Sequence, residues 1–182
     1  MAINERGSRR DSRRDPKDAV KSEWGEKVVS LRRAAKVTTG GKRFRFNAIV
    51  IVGNGKGMVG IGYGKANELA DAIRKSKDKA IKAAKKIQMK NTTIPHEITG
   101  KFKSGEIILK PASKGTGVIA GGAVRPVLEL AGIKDVLTKS LRSTNPVNLV
   151  KATLEALYNL MDVNTVAAKR DKTVNEIFGS SK

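Results

Sequence analysis

Residues 44–63 read FRFNAIVIVGNGKGMVGIGY, and the alternation within them decides the fold. Phe44, Phe46, Ala48, Val50 and Val52 fall on one face of an extended strand, with Arg45, Asn47, Ile49 and Ile51 on the other. N54-G55-K56-G57 follows as a tight turn of the Asn-Gly type, whose positive φ values suit a hairpin. Met58–Tyr63 then returns as the partner strand. The stretch also contains G-x-G-x-x-G at Gly55, Gly57 and Gly60, a pattern that can hold a dinucleotide pyrophosphate. That use needs the glycines to run from a strand end straight into a helix N-terminus. Here Gly60 lies inside the returning strand, and Asp78, the acidic residue nearest the required spacing, falls within a helix. A hairpin with glycines in its second strand is the better reading. Strand glycines mark close backbone approach. With Lys56 and Lys65 beside them, an RNA backbone is favoured as the approaching chain, ahead of a purely structural hairpin.

Outward from the hairpin, Trp24–Lys36 (WGEKVVSLRRAAK) suits a strand or a short helix by period, and T38-T39-G40-G41-K42 is a loop by composition. A helix is expected from Ala66 to about Ile87. Leu69, Ile73, Ala80, Ala84 and Ile87 form its apolar stripe, with its lysines largely off that stripe. N91-T92-T93-I94-P95 marks a boundary. Strands follow at about His96–Phe102 and Glu106–Lys110, then SKGTGVIAGGAVRP (113–126) leads into a helix over roughly Ala123–Ala131. Asp135–Leu141 has strand character. Asn145 is an N-cap and Pro146 the first helical residue of a segment that buries Val150, Leu154, Leu157 and Met161. The sum is an α+β chain of two small lobes, 23–90 and 91–163. A basic tail at 164–182 includes a short helix near Val174–Phe178. Residues 1–22 form a flexible arm that either orders on a partner or is simply solvated.

Charge points to the partner. The 182 residues carry 37 Lys+Arg against 17 Asp+Glu, a net +20, and self-repulsion of that size opposes compaction unless a polyanion neutralises it. Residues 23–90 hold 17 basic and 5 acidic groups, whereas 91–165 hold 9 and 6. The polyanion site therefore belongs to the first lobe, and the second suits protein neighbours. The lack of cysteine excludes disulfides, thiolate metal sites and thiol catalysis. No apolar run approaches the ~20 residues of a membrane span, and no signal-peptide core follows the N-terminus. A cytoplasmic protein is expected.

Catalytic material is scarce. The second glycine cluster lacks the G-K-[ST] ending of a phosphate loop. Its helix start either holds an anion, with Lys114 and Arg125 alongside, or is a loop packed on a neighbouring strand. His96, the sole histidine, reads as a surface or turn residue. The carboxylates stand singly among lysines and no metal spacing exists, so neither enzyme, metal nor cofactor is expected. K-R-F-R-F echoes the aromatic strands on which bases stack. A core role for Phe44 and Phe46 is favoured instead, since they share parity with Ala48, Val50 and Val52. Arg43 and Arg45 would then be free on the opposite face.

Four ordered stretches, Gly40–Ala66, Lys110–Gly132, Ser143–Thr153 (STNPVNLVKAT) and Val166–Arg170 (VAAKR), resemble the family of the fifth protein of the bacterial small ribosomal subunit, over roughly Glu26 to Phe178. The resemblance implies an N-terminal domain like a double-stranded-RNA-binding fold, three strands and a helix, and a C-terminal α/β domain of the type named after the family. It implies binding to 16S ribosomal RNA near the head–body junction and contacts with the fourth and eighth small-subunit proteins. The family's long loop, matched by Ala34–Arg43, would reach toward the decoding region and bear on spectinomycin sensitivity. Effects on translational accuracy, and a place where messenger RNA enters, are implied likewise. Residues expected to touch RNA are Lys36, Gly40, Gly41, Lys42, Arg43, Arg45, Asn54, Lys56 and Lys65, with Lys114, Arg125, Lys169 and Arg170 in the second half. The arm departs from the family pattern, so no role carries over to it. The same charge and flexible ends would suit a rival, a free-standing nucleic-acid chaperone or chromosome-coating protein.

Overall fold

The computed structural model describes residues 24–177, so the arm at 1–22 and the end of the tail lie outside the described residues. In the first lobe β1 (Gly25–Thr38), β2 (Gly41–Gly53) and β3 (Met58–Ala66) form an antiparallel meander. Helix α1 (Leu69–Lys82) covers one face, and the two-residue β4 (Lys85–Lys86) extends the sheet beside β3. The second lobe runs β5 (Ile98–Phe102), β6 (Gly105–Pro111), β7 (Val118–Ile119), α2 (Arg125–Ala131), β8 (Val136–Ser140) and α3 (Pro146–Tyr158). Its strand order is β5-β6-β8-β7, with β7 and β8 parallel. Helices α4 (Val163–Lys169) and α5 (Val174–Ile177) follow.

Glycine decides how α1 sits. A Cβ on Gly60, Gly62 or Gly64 would come within 2.2, 1.8 and 2.3 Å of the carbonyl oxygens of Ala80, Ser76 and Ala72. The chain approaching these glycines is thus its own helix, which presents Ala72, Ser76 and Ala80 at i, i+4 spacing. The Ser76 hydroxyl lies 3.0 Å from the Ala48 carbonyl and 2.7 Å from that of Ala72, so its buried oxygen is satisfied. The apolar stripe drawn from sequence needs correcting. Leu69 is exposed, because so close a packing admits only small side chains. The helix bounds change too. Ala66 closes β3, and Lys85–Lys86 pairs with Val59 and Met58 as a strand.

Trp24–Lys36 resolves as strand. Pairing of β1 with β2 continues to Thr38↔Gly41, so the loop expected at 38–42 shrinks to a turn at Thr39 and Gly40. Thr38 Oγ1 donates to the Gly41 carbonyl across 3.0 Å, and Gly41 adopts a φ of 128°. The segment matched to a long family loop, Ala34–Arg43, is therefore a two-stranded ribbon. It extends beyond the part of the sheet that α1 covers.

The lobes are joined at the other end of the sheet. Ile51, Val59 and Ile87 of the first lobe share one buried cluster with Leu109, Leu128, Ile133 and Leu157 of the second. Asn54 Oδ1 accepts from the Lys56 and Met58 amides (2.8 and 3.0 Å), which shapes the hairpin tip. Gly55 and Gly57, at φ 66° and 88°, then aim their amides into the second lobe. Gly55 donates to the Leu130 carbonyl and Gly57 to that of Ala131, each at 2.9 Å. These carbonyls belong to the last turn of α2, where a helix has no internal donors left. Lys27 reaches Glu129 of α2 at 2.6 Å and Arg125 reaches it at 2.9 Å. Hydrogen bonds from Lys27 and then Arg125 hold the Glu129 carboxyl below the usual glutamate range. The Tyr158 hydroxyl donates to the Val59 carbonyl at 2.9 Å.

Helix α3 starts as its sequence dictates. Asn145 Oδ1 accepts from the Val147 amide, Pro146 opens the helix, and Val150, Leu154 and Leu157 are buried. Met161 departs from expectation. It lies past the helix end and is exposed, because α3 stops at Tyr158.

Candidate nucleic-acid interface

Strand pairing sorts the ribbon's side chains into two faces. Directly opposed residues share a face, so Lys36 and Arg43 stand together, as do Ala34 and Arg45, and Arg32 and Asn47. Asn47 in turn opposes Lys65 of β3. One face therefore gathers Arg32, Lys36, Arg43, Arg45 and Lys65, all exposed. None of the five has a carboxylate partner among the described residues. Lys65 lies over the Tyr63 ring at 5.3 Å. Cations two positions apart on a strand are spaced by about 6.8 Å, comparable to the step between neighbouring phosphates along a nucleic-acid strand. An open cleft of about 630 Å³ runs here, with Lys36, Arg43, Arg45 and Asn67 among its walls. Gly40 and Gly41 form the exposed tip, and no atom lies within 4 Å of where their Cβ atoms would stand.

Four of the expected contacts, Lys36, Arg43, Arg45 and Lys65, are thus brought together. Arg32 belongs with them, and the signal for it was its register opposite Asn47, hidden while its segment was ambiguous between strand and helix. Lys42 points to the opposite face, beside Phe44. The two phenylalanines divide: Phe46 packs on Ala48, Ala66 and Ala72 as expected, but Phe44 is 45% exposed, because α1 does not extend over it.

Other candidates stand elsewhere. Asn54 and Lys56 occupy the hairpin tip at the far end of β2, where Asn54 Oδ1 is committed to the turn and Lys56 is exposed. In the second lobe, Arg125 is paired with Glu129. In the glycine cluster Gly115 and Gly117 donate to Asp135 Oδ1 at 2.9 and 3.1 Å, so these two amides are committed within the chain, with Lys114 exposed beside them. Lys169 ends α4 with its ammonium 3.5 Å from Met161 Sδ, and Arg170 is its exposed C-cap. His96 accepts from the Met161 amide through Nε2 and faces the Glu97 carbonyl through Nδ1, an arrangement that suits the tautomer with its hydrogen on Nδ1. Among the described residues no group of three metal-ligating side chains occurs, and no helix is long and apolar enough to cross a membrane.

Asp135 carries a pH dependence. The Thr92 hydroxyl, then the Gly117 and Gly115 amides and the Lys114 charge, hold its carboxyl below the ordinary aspartate value, against the opposing effect of burial. A depressed folded value gives stability that is present above the unfolded value, about 3.9, and lost as pH falls through the folded one. Thermal melts of wild type and Asp135→Asn should therefore differ most near neutral pH and converge as acid carries the pH through the depressed folded value. A gap that does not narrow at all on acidification would show that ionised Asp135 does not hold this loop.

Comparison with known proteins agrees with this architecture. Residues 24–88 match the family model described as ribosomal protein S5, N-terminal domain, and residues 100–170 match that of the C-terminal domain. The chain is similar to the small ribosomal subunit protein uS5 of Treponema denticola, at 49% identity over 93% of this chain and 98% of the relative. It is similar to the Salinibacter ruber protein of that name at 48% identity, over 93% and 97%. With the Rubrobacter xylanophilus one it shares 59% identity, over 76% and 70%. With both halves matched in order, and two of these relatives covered nearly end to end, the chain belongs to the ribosomal protein S5 family.

Proposed function

We propose that this chain, a structural and non-enzymatic constituent of the small ribosomal subunit, binds 16S ribosomal RNA through the cationic face of its ribbon. The observation that carries the reading is the set of five cations, Arg32, Lys36, Arg43, Arg45 and Lys65, on one face with no carboxylate partner among the described residues. Positive side chains spaced along a strand contact phosphates and so fix position on a folded RNA, while carrying little sequence information. Residues 31–46 hold six basic groups and no acidic one, so no internal charge competes with a phosphate there.

The finer roles follow from this placement together with the family resemblance. The ribbon tip at Gly40 and Gly41 reaches toward the decoding region, which links it to translational accuracy and spectinomycin sensitivity. The second lobe, close to charge balance, meets the fourth and eighth small-subunit proteins near where messenger RNA enters. Lys56, Lys114, Lys169 and Arg170 add RNA contacts around the periphery. The lobe limits of 23–90 and 91–163, with an arm before and a tail after, are part of the same proposal.

Salt dependence tests the central claim. Lys36 and Arg43 face each other across the ribbon and are exposed, so replacing both with alanine should leave stability within about 0.5 kcal/mol. The slope of log affinity against log salt should flatten by about 1.4–1.8 units, given ~0.7–0.9 per phosphate contact. An unchanged slope would mean that these side chains do not meet phosphate.

A further inference from the structure

The ribbon's other face has a different chemistry. Leu31, Arg33, Ala35 and Val37 of β1 share it with Ala48, Phe46, Phe44 and Lys42 of β2. Toward the body of the sheet, α1 covers the β2 side of this face and Ala48 is fully buried, while Leu31 opposite it on β1 is 45% exposed. Toward the tip the cover ends. Val37 is 70% exposed and Phe44 45%. The ring nonetheless has a set neighbour: the Arg33 guanidinium carbon lies over it, 4.6 Å from its centroid. The residue directly opposite Phe44 is Ala35, whose methyl group is too small to cover the ring.

An aromatic ring left open to water lacks the apolar contact that would usually bury it. Its surroundings select what supplies that contact. Six cations and no carboxylate occupy residues 31–46, so a partner here must bring negative charge as well as a flat apolar surface. Nucleic acid brings both, on neighbouring atoms: phosphates for the cations and base π-faces for the ring. We propose that Phe44 and Arg33 form a stacking platform for an unpaired base of the RNA whose phosphates the opposite face holds. This rests on the RNA-binding reading above. Phenyl rings and guanidinium planes both stack on bases. Phe44 offers no hydrogen bond to a base edge, so the platform accepts any base and selects for an unpaired one.

The test is equilibrium binding of the full chain to 16S ribosomal RNA, naked and in small particles assembled without this chain, over a range of salt. Phe44→Leu keeps the apolar bulk and removes the π-face. It should weaken binding by about tenfold with the salt slope unchanged, because stacking releases no counterions. Phe44→Trp should restore or exceed wild-type affinity. Wild-type affinity in Phe44→Leu would overturn the platform, even with the Lys36→Ala/Arg43→Ala slope change intact. A loss shared equally by Phe44→Leu and Phe44→Trp, with lowered melting temperatures, would assign the ring to folding and also overturn it. Unchanged RNA affinity with poor incorporation into particles would place a protein against the ring and overturn the platform as well. A salt-independent wild type would instead remove the RNA reading itself.

Discussion

Gly62→Val is expected to detach α1 from its sheet. Even a single Cβ at this position would stand 1.8 Å from the Ser76 carbonyl oxygen and 2.8 Å from the Ala80 nitrogen, and these are backbone atoms that cannot rotate aside. The neighbours above and below offer no relief. Gly60 and Gly64 meet the carbonyls of Ala80 and Ala72 at 2.2 and 2.3 Å, so α1 would have to lift along three turns at once. Overpacking of a core costs about 1–3 kcal/mol where side chains can adjust, and occasionally more. Here they cannot, so a loss of at least about 3 kcal/mol is expected, or roughly 10 °C in melting temperature for a chain of this size. Gly40→Ala is the matched control. Nothing lies within 4 Å of its Cβ position and its φ is not positive, so it should melt within a degree or two of wild type. Equal melting of Gly62→Val and Gly40→Ala would refute the close packing of α1 on β3.

The second large effect is expected at the joint between lobes. Gly132 ends α2 in the left-handed region, at φ 95°, and a Cβ there would come within 2.2 Å of the Gly55 carbonyl oxygen. Gly132→Ala therefore adds a conformational cost of about 1–2 kcal/mol to a backbone collision. Relief requires the hairpin tip to withdraw, and withdrawal breaks the bonds from Gly55 and Gly57 to the end of α2. The loss should reach about 2–4 kcal/mol. Its location is as diagnostic as its size. Amide exchange at Gly55 and Gly57 should accelerate far more than at Val50 in the middle of β2. Protection of both glycine amides at wild-type level would show that the tip does not cap the helix.

Local pattern made much of this fold legible. Alternation in residues 44–63 located β2 and β3, and Asn145-Pro146 located the start of α3, because each signal is carried by neighbours in sequence. Misreadings arose where a distant backbone set the rule. Leu69 looked like core by period, yet Gly60, Gly62 and Gly64 bring α1 so near that only Ala72, Ser76 and Ala80 fit. The amides of Gly115 and Gly117 have as their partner a carboxylate at position 135, which the local glycine pattern does not announce. Phe44 shares the parity of Val50, and only the end of α1 shows that parity alone does not bury it. For the candidate interface, residue type picked out Lys36, Arg43, Arg45 and Lys65. Arg32 and the separation of Lys42 from Arg43 needed the register. The docking of the hairpin tip had no local signal, since its acceptors, Leu130 and Ala131, are apolar residues that offer only their carbonyls.

That docking has a consequence for how the sequence can drift. At Gly55, Gly57, Leu130 and Ala131 the groups that meet are common to almost every amino acid, so the seam is blind to side-chain identity in its donors and acceptors. Exchanging Leu130 for another apolar residue leaves every participating atom in place. Three kinds of change are visible to it: an imino acid at 55 or 57, which has no hydrogen to give, any side chain at these two positions, which their φ of 66° and 88° strains, and a Cβ on Gly132, which occupies the gap. Divergent homologues can thus keep the angle between their halves while replacing much of what surrounds it.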